Sequence, residues 1–159
     1  MKVIDIHTHV FPDAIADKTI VALSERAKSR AYANGKLQGL LESMDRADID
    51  CSVIAPVVTA PKQFDSINKF AYEINEKFTV DMREGLPKLV SLGGIHPDCE
   101  DYKAKLKQLK SMGFKGIKLH PDYQVVFFDD IRYKRIVSYA IELDMMILVH
   151  AGVDISCAC

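Results

Sequence analysis

Apolar and polar positions along the chain follow two periods, which predict strands and helices in turn. Five short segments rich in Val, Ile and Leu are typical of buried parallel strands. They cover residues 3–9, 51–57, 89–95, 114–119 and 145–150. Between them, apolar residues recur every three or four positions, which indicates amphipathic helices. The repeated strand–helix order predicts a parallel α/β fold with right-handed crossovers.

The predicted helices follow four apolar stripes and one segment whose apolar face is ambiguous. The stripes run through residues 37–47, 67–78, 102–109 and 136–141, and the ambiguous segment is 13–30. We expect Gly85 and Gly113 to end the second and third of these helices. Asp129 or Asp130 is expected to cap the fourth. The chain has 159 residues and shows no repeat or linker, so we predict one domain over residues 1–159.

The first strand distinguishes between two α/β architectures. Asp5, His7 and His9 occupy alternate positions, so three polar side chains share one face of the strand. In an open doubly wound sheet that face would lie under helices, and burying unpaired polar groups costs several kcal/mol. In a (β/α)8 barrel the same face points into the lumen, where polar groups cluster at the carboxyl ends of the strands. The pattern predicts a (β/α)8 TIM-barrel type of fold, and "HTHVFPDA" lacks the glycines of a nucleotide-binding loop.

All five histidines fall at or just after the carboxyl end of a predicted strand, so a barrel would bring them to one mouth. His7 and His9 would lie about 6.6 Å apart along one strand, from a rise near 3.3 Å per residue. Neutral imidazole binds zinc and similar divalent ions, and two such rings suit one ion. We therefore predict His7, His9 and His150 as metal ligands. His96, which follows the third strand, is interpreted as a hydrogen-bonded loop residue.

Two further polar residues lie on the inward face of the fourth predicted strand. We take His120 and Lys118 as candidate catalytic residues. The alternatives are a structural hydrogen bond for His120 and an ion pair with a carboxylate for Lys118. Asp5 is expected to orient its neighbours or to pair inside the barrel rather than to bind metal.

Composition and charge narrow the function classes. Hydrophobic residues make up 48% and charged residues 27% of the chain, with a net charge of −1, so nothing favours nucleic-acid or anionic-membrane binding. No apolar run approaches the roughly 20 residues of a membrane span, and the N-terminus does not match a secretory signal. The four cysteines show no paired spacing, which predicts reduced thiols and a cytoplasmic location. Cys157 and Cys159 are expected to be inert.

Four segments together resemble the amidohydrolase superfamily: "DIHTHVFPDAIADK", "LLESMDRADID", "GIKLHPDYQ" and "ILVHAG". They look closest to the branch that contains aminocarboxymuconate semialdehyde decarboxylase and its relatives. The HxH pair alone also opens PHP phosphoesterases and TatD-type nucleases. The order HxH, KLHP, VHAG is more specific, and "GIKLHP" stands where a TatD-type protein has an acidic motif.

The resemblance implies a divalent metal, usually zinc, at the barrel mouth. His7 and His9 match the ligands on the first strand, and His150 matches the ligand on the fifth. Such a metal polarises a substrate oxygen and lowers the pKa of water toward 7, for attack on an amide, ester or related carbonyl group of a small-molecule substrate. In the decarboxylase relatives the same kind of site promotes loss of CO2. A homo-oligomer is compatible with the sequence.

The resemblance also implies residues that this chain does not supply. The family pattern continues with a histidine after strand six and an aspartate after strand eight, whereas the sequence stops at Cys159. We therefore expect a barrel truncated after its fifth strand, with "DISCAC" as a truncation or frameshift tail. A non-catalytic fragment accordingly stands beside the hydrolase and the decarboxylase as a third hypothesis.

Overall fold

The computed structural model of the protein describes residues 1–79 and 88–152, which divide into two compact units. The first unit contains Met1–Ile54 and the described part of Phe78–Val90, and the second contains Ala55–Lys77 and Ser91–Gly152. The expectations for Gly85, for Cys157 and Cys159 and for the closing "DISCAC" fall outside the described residues. The expectation of one domain over residues 1–159 also includes those residues, and it stays a prediction.

The first unit is built on parallel strands at the start of the chain. It contains β1 (Ile4–Thr8), β2 (Cys51–Ile54) and the start of β3 (Leu89–Ser91), in the order β1-β2-β3. The chain passes into the second unit at Ser91. Two helices connect β1 to β2, namely α1 (Asp13–Ala27) and α2 (Leu37–Arg46). The parallel pairing of β1 with β2 agrees with the predicted α/β fold.

The first strand is exposed along most of its length, so the prediction that it is buried is wrong. Ile4 is 47% exposed and Ile6 is 63% exposed, and Asp5, His7 and Val3 are also exposed. β1 lies at one edge of its three-stranded sheet, and an edge strand has a neighbour on only one side. Burial begins at the end of the strand, where the Thr8 hydroxyl donates to the Val53 carbonyl oxygen at 2.9 Å.

The second unit contains a second parallel sheet, with the order β4-β5-β6. Its strands are β4 (Gly93–Gly94), β5 (Gly116–Leu119) and β6 (Met146–Val149). Its helices are α3 (Phe64–Thr79, whose last two residues fall in the first unit), α4 (Tyr102–Ser111), α5 (Pro121–Gln124) and α6 (Ile131–Glu142), and a single 3-10 turn covers Pro61–Gln63. Every residue of the central strand β5 is buried, as expected for a parallel strand covered on both faces. The core joins β5 to α4 and α6 through Leu106, Leu109, Ile117, Leu119, Tyr133 and Ile136.

The third predicted strand is divided in two. Asn75 of α3 bonds both main-chain groups of Ser91, donating to its oxygen at 2.9 Å and accepting from its nitrogen at 2.6 Å. Asn68, two helical turns earlier, does the same to Gly94, at 2.9 and 2.8 Å. These asparagines take hydrogen-bonding positions that a continuous strand would offer to its neighbours. The segment therefore changes partner at Leu92, so that β3 belongs to the first sheet and β4 to the second.

The helix predictions agree with the structure except for one element. Asp130 caps α6 by accepting from the main-chain nitrogen of Arg132 at 2.8 Å. Gly113 follows α4 with φ +87°, the left-handed conformation expected at a helix end. The short helix α5 was not predicted. No helix among residues 1–79 and 88–152 has both the length and the apolar character needed to cross a membrane.

Candidate functional site

His7 and His9 lie next to each other at the end of β1, as the alternation of the strand predicts. Their ring centroids are 4.9 Å apart, in an edge-to-face arrangement. Two imidazoles that bind one tetrahedral ion at about 2.0–2.1 Å have centroids roughly 5 Å apart, so this pair fits two ligands of one ion. The carboxylate of Asp5 accepts a hydrogen bond from the His7 main-chain nitrogen at 3.1 Å. Asp5 thus orients the histidine segment, the role expected of it.

In the second unit, His120 and His150 lie against each other at the ends of β5 and β6. Their rings are stacked, with centroids 4.1 Å apart and planes 6° from parallel. The opposite face of His120 stacks on Tyr123, again at 4.1 Å and within 9° of parallel. We call these three rings the imidazole stack. Because the ends of adjacent parallel strands lie side by side, the two histidines meet although 30 positions separate them.

His120 also caps the helix that follows it. Its Nδ1 accepts a hydrogen bond from the main-chain nitrogen of Tyr123 at 3.3 Å, which places His120 at the N-cap of α5. A ring nitrogen that accepts carries no proton, so the hydrogen bond assigns the neutral tautomer with its proton on Nε2. His120 is only 5% exposed. The structural hydrogen bond considered for this residue is therefore present.

His150 carries the clearest unsatisfied group of this region. Among residues 1–79 and 88–152, its Nε2 atom is buried and has no hydrogen-bond partner. Its main-chain nitrogen is held by the Leu119 carbonyl oxygen at 3.0 Å. A buried polar atom without a partner costs about 1–3 kcal/mol, and a metal ion would offset that cost. His150 therefore fits the role of a metal ligand, because its buried Nε2 has no hydrogen-bond partner among the described residues.

The structure does not bring the three predicted metal ligands into one described cluster. Within the described ranges, no group of three or more His, Cys, Asp or Glu side chains is arranged to hold a metal ion. His7 and His9 belong to the first unit and His150 to the second. The set of three ligands stays a prediction.

Gln124 connects Val58 to the residues that follow β4 and β5 in the second unit. Its amide nitrogen donates to the carbonyl oxygens of Val58 and Ile95, both at 2.8 Å. Its amide oxygen accepts from the His120 main-chain nitrogen at 3.0 Å and from the Tyr133 hydroxyl. The side chain is buried, and these four bonds use both of its donors and both of its acceptor sites. We call this set the Gln124 network; it fixes the position of His120.

Lys118 lies in the middle of the second sheet. It stands in register between Gly94 of β4 and Leu148 of β6 and has no exposed surface. Burial lowers the pKa of its ammonium group, because the charged form loses hydration. The ion pair with a carboxylate that was expected of this residue stays a prediction.

His96 follows β4 and is buried, with 5% of its surface exposed. Its Nδ1 accepts from the Asp98 main-chain nitrogen at 3.1 Å, so the expected hydrogen-bonded loop residue is what the structure contains. Burial lowers its pKa, although the Asp98 carboxylate acts in the opposite direction. Asp98 in turn pairs with Arg132 at 2.7 Å.

Sequence reasoning missed Gln124 and Tyr123. Both belong to "HPDYQ", where a histidine before proline opens a short helix. Proline at the first helical position was the available signal. Nothing in the sequence indicated that the amide of Gln124 would reach the main chain at Val58 and Ile95.

The comparisons with known proteins agree with this architecture. A family model described as amidohydrolase matches residues 4–158. No curated protein shows significant similarity to the chain. Among solved structures, apo IDCase from Metarhizium anisopliae superposes with a TM-score of 0.67 at 18% identity, covering 94% of this chain and 50% of that one.

Two decarboxylases give similar superpositions. One is 5-carboxyvanillate decarboxylase from Novosphingobium aromaticivorans, complexed with manganese and 4-hydroxy-3-methoxy-5-nitrobenzoic acid, with a TM-score of 0.62 at 18% identity, covering 94% of this chain and 50% of that one. The other is 5-carboxyvanillate decarboxylase from Sphingomonas paucimobilis, with a TM-score of 0.62 at 11% identity, covering 94% of this chain and 51% of that one.

These likenesses confirm the α/β fold of TIM-barrel type. The chain spans about half the length of the structures that it matches. Since the family model covers nearly all of the sequence, the chain belongs to the amidohydrolase family.

Proposed function

We propose that this chain carries the metal-binding strands of a metal-dependent hydrolase that acts on an amide, ester or related carbonyl group of a small molecule. The observation that carries the proposal is the buried Nε2 of His150, which has no hydrogen-bond partner among the described residues. The contact between the His7 and His9 rings supports it. Imidazole nitrogens are the ligands that zinc and related ions take up most readily.

The sequence predicts His7, His9 and His150 as the ligands of this ion. When bound, such an ion supplies Lewis-acid polarisation of the substrate and lowers the pKa of water. Asp5 holds the main chain of His7, and the stack holds His150. Zinc as the ion, a cytoplasmic location and assembly into a homo-oligomer are further predictions from the sequence.

Lys118 and His120 remain candidate catalytic residues in this proposal, each for its own reason. Burial lowers the pKa of Lys118, so its neutral amine, the form that can accept a proton, is favoured more than in an exposed lysine. The Nδ1 atom of His120 is used to cap α5, so proton transfer by this residue would involve Nε2.

Decarboxylation on the same scaffold is the second candidate function. The observation that favours it is the similarity to two 5-carboxyvanillate decarboxylases. The two reactions differ in their products: a decarboxylase releases CO2 from a carboxylic acid, whereas a hydrolase releases an acid with an amine or alcohol. Assay of the full chain against an ester and amide panel and against aromatic acids distinguishes them.

Metal binding is the first test, because both reactions require it. We expect the full chain, stripped with a chelator, to bind one zinc or manganese ion per chain in isothermal titration calorimetry. His150→Ala and the His7→Ala/His9→Ala double variant should bind at least tenfold more weakly. His96→Asn is the matched control and should bind as wild type does. Equal binding by wild type and His150→Ala would contradict the proposal.

A further inference from the structure

The imidazole stack contains a residue, His120, whose geometry suits the support of a neighbouring ring. His120 lies face to face with His150 at 4.1 Å and 6° from parallel. Face-to-face contact at this distance restricts rotation of the ring about χ2, because turning either ring would drive its edge into the other. The orientation of the His150 ring, and with it that of Nε2, is therefore restricted by the plane of His120.

His120 is itself held from several sides. Its main-chain nitrogen donates to Gln124, its Nδ1 accepts from the Tyr123 main chain, and the Tyr123 ring covers its other face. The residue is 5% exposed. A ring fixed in this way can serve as a rigid wall, whereas a mobile ring could not restrain its neighbour.

Main-chain and side-chain restraints then act on His150 together. Its main-chain nitrogen is bonded to Leu119, which fixes where the side chain starts. The stack fixes the plane of the ring. A ligand that is oriented before the ion arrives loses less conformational entropy on binding.

We propose that His120 is a positioning residue, which through ring stacking holds the His150 imidazole in the orientation that presents Nε2 to a divalent metal ion. This inference rests on the proposed metal-binding function. The ring of His120 orients His150 through stacking, whereas the Nδ1 hydrogen bond of His120 caps α5.

Two substitutions separate these two contributions. His120→Asn keeps a side-chain acceptor, and asparagine is among the best N-caps, but it removes the stacked ring. His120→Phe keeps a flat ring and removes the acceptor. Tyr139→Leu is the matched control, since it removes an aromatic contact with Tyr102 in the same unit.

Cobalt(II) is the probe, because its visible absorption reports both the affinity and the coordination of the ion. With the full chain, His120→Asn should bind cobalt at least tenfold more weakly, while His120→Phe and Tyr139→Leu stay within about threefold of wild type. Thermal melting should give the opposite order for the two His120 variants, because only His120→Phe loses the cap. A purely structural role would move affinity and melting temperature together.

A second measurement needs no metal. In long-range proton–nitrogen NMR spectra, the ring protons of His150 should be shifted upfield in wild type and in His120→Phe, and should lose that shift in His120→Asn. An unchanged His150 spectrum in His120→Asn overturns the inference.

The cobalt titration separates failure of the inference from failure of the function. If wild type and His120→Asn bind cobalt equally, the positioning role is overturned and the metal site stands. If the wild-type chain binds no cobalt, the proposed metal site is overturned, and the positioning role with it.

Discussion

Histidines stand at strand ends in both units, but their surroundings differ. In the first unit, His7 and His9 are exposed at the end of an edge strand, and their rings meet edge to face. In the second unit, His120 is buried between two parallel rings and bonded to Gln124. The first pair is exposed, whereas in the second pair His120 is buried and hydrogen-bonded through its main chain and its Nδ1.

The comparison shows that a shared residue type does not imply a shared energetic role. A buried, fully bonded side chain stabilises the fold, and its removal leaves partners unsatisfied. An exposed side chain can change with little effect on stability. Substitutions in the two regions should therefore separate stability from metal binding.

The largest effect on stability is expected from Gln124→Leu, which removes the central side chain of the Gln124 network in the buried region. The substitution leaves two carbonyl oxygens, a main-chain nitrogen and the Tyr133 hydroxyl without their partner. We expect the free energy of unfolding to fall by about 3–5 kcal/mol, because each unsatisfied buried group costs about 1–3 kcal/mol. Urea denaturation measures the change.

The control for that experiment is Gln38→Leu on the surface of α2. Gln38 is exposed and donates to Glu42, so its loss should change the free energy of unfolding by less than about 0.5 kcal/mol. Equal losses for the two glutamines would show that the Gln124 network contributes no special stability.

A smaller effect of opposite sign is expected at Val125, just after the stack. This β-branched residue has φ 52° and ψ 44° at the end of α5, a left-handed conformation that costs of order 1–3 kcal/mol for such a side chain. Val125→Gly should therefore raise the free energy of unfolding by about 1 kcal/mol after the entropy cost of glycine.

Val21→Gly is the matched substitution, since Val21 is exposed within helix α1. It should lower the free energy of unfolding by about 0.5 kcal/mol, because glycine is a poorer helix former than valine. Destabilisation by Val125→Gly, measured in the same urea titration, would disprove the strain at this turn.

The pH dependence of stability should come from a buried histidine of the second unit. Burial lowers the pKa of His96 in the folded chain, whereas the unfolded value is near 6.5. Below about pH 6.5 the unfolded state binds more protons, so stability is lost as the pH falls toward the folded pKa. His96→Asn keeps an acceptor for the Asp98 main chain and should flatten this part of the profile.

Urea titrations at pH 7.5, 6.5 and 5.5 would measure that difference between wild type and His96→Asn. Both profiles retain the slope contributed by other titrating groups, so the comparison is between the two slopes. Parallel profiles would mean that His96 does not contribute to acid destabilisation.

The smallest effect on stability is expected at the exposed pair. His7→Ala and His9→Ala should each change the free energy of unfolding by less than about 0.5 kcal/mol, while weakening metal binding strongly. Urea denaturation of the metal-free chain, beside the calorimetric titration, measures both quantities. A loss above about 1 kcal/mol in the metal-free chain would place these histidines in the fold rather than in the site.

Much of the architecture was predictable because it depends on local patterns. The apolar stripes located α2, α3, α4 and α6, and the period of two located β1 with its adjacent histidines. The Asp130 cap and the turn at Gly113 followed from residue preferences at helix ends. The burial of β1 was mispredicted, because the strand pattern does not tell an edge strand from a central one.

The bonds from helix side chains to distant main-chain groups of the second unit could not be predicted from the sequence, for a different reason. Asn68, Asn75 and Gln124 are polar residues in helices, and nothing in the spacing of the chain distinguishes them from solvent-exposed ones. Their roles depend on which main-chain groups they meet 16 to 66 positions away.

The sequence by itself determined the family, the order of most strands and helices, and the placement of histidines at strand ends, because periodicity and motif order are local properties of the chain. The tertiary structure alone decided that His120 and His150 stack, that Gln124 bonds the main chain at Val58, Ile95 and His120, and that the third strand changes partner at Leu92. Each of these depends on groups distant in sequence meeting at hydrogen-bonding or van der Waals distance, and packing of the whole unit brings them there.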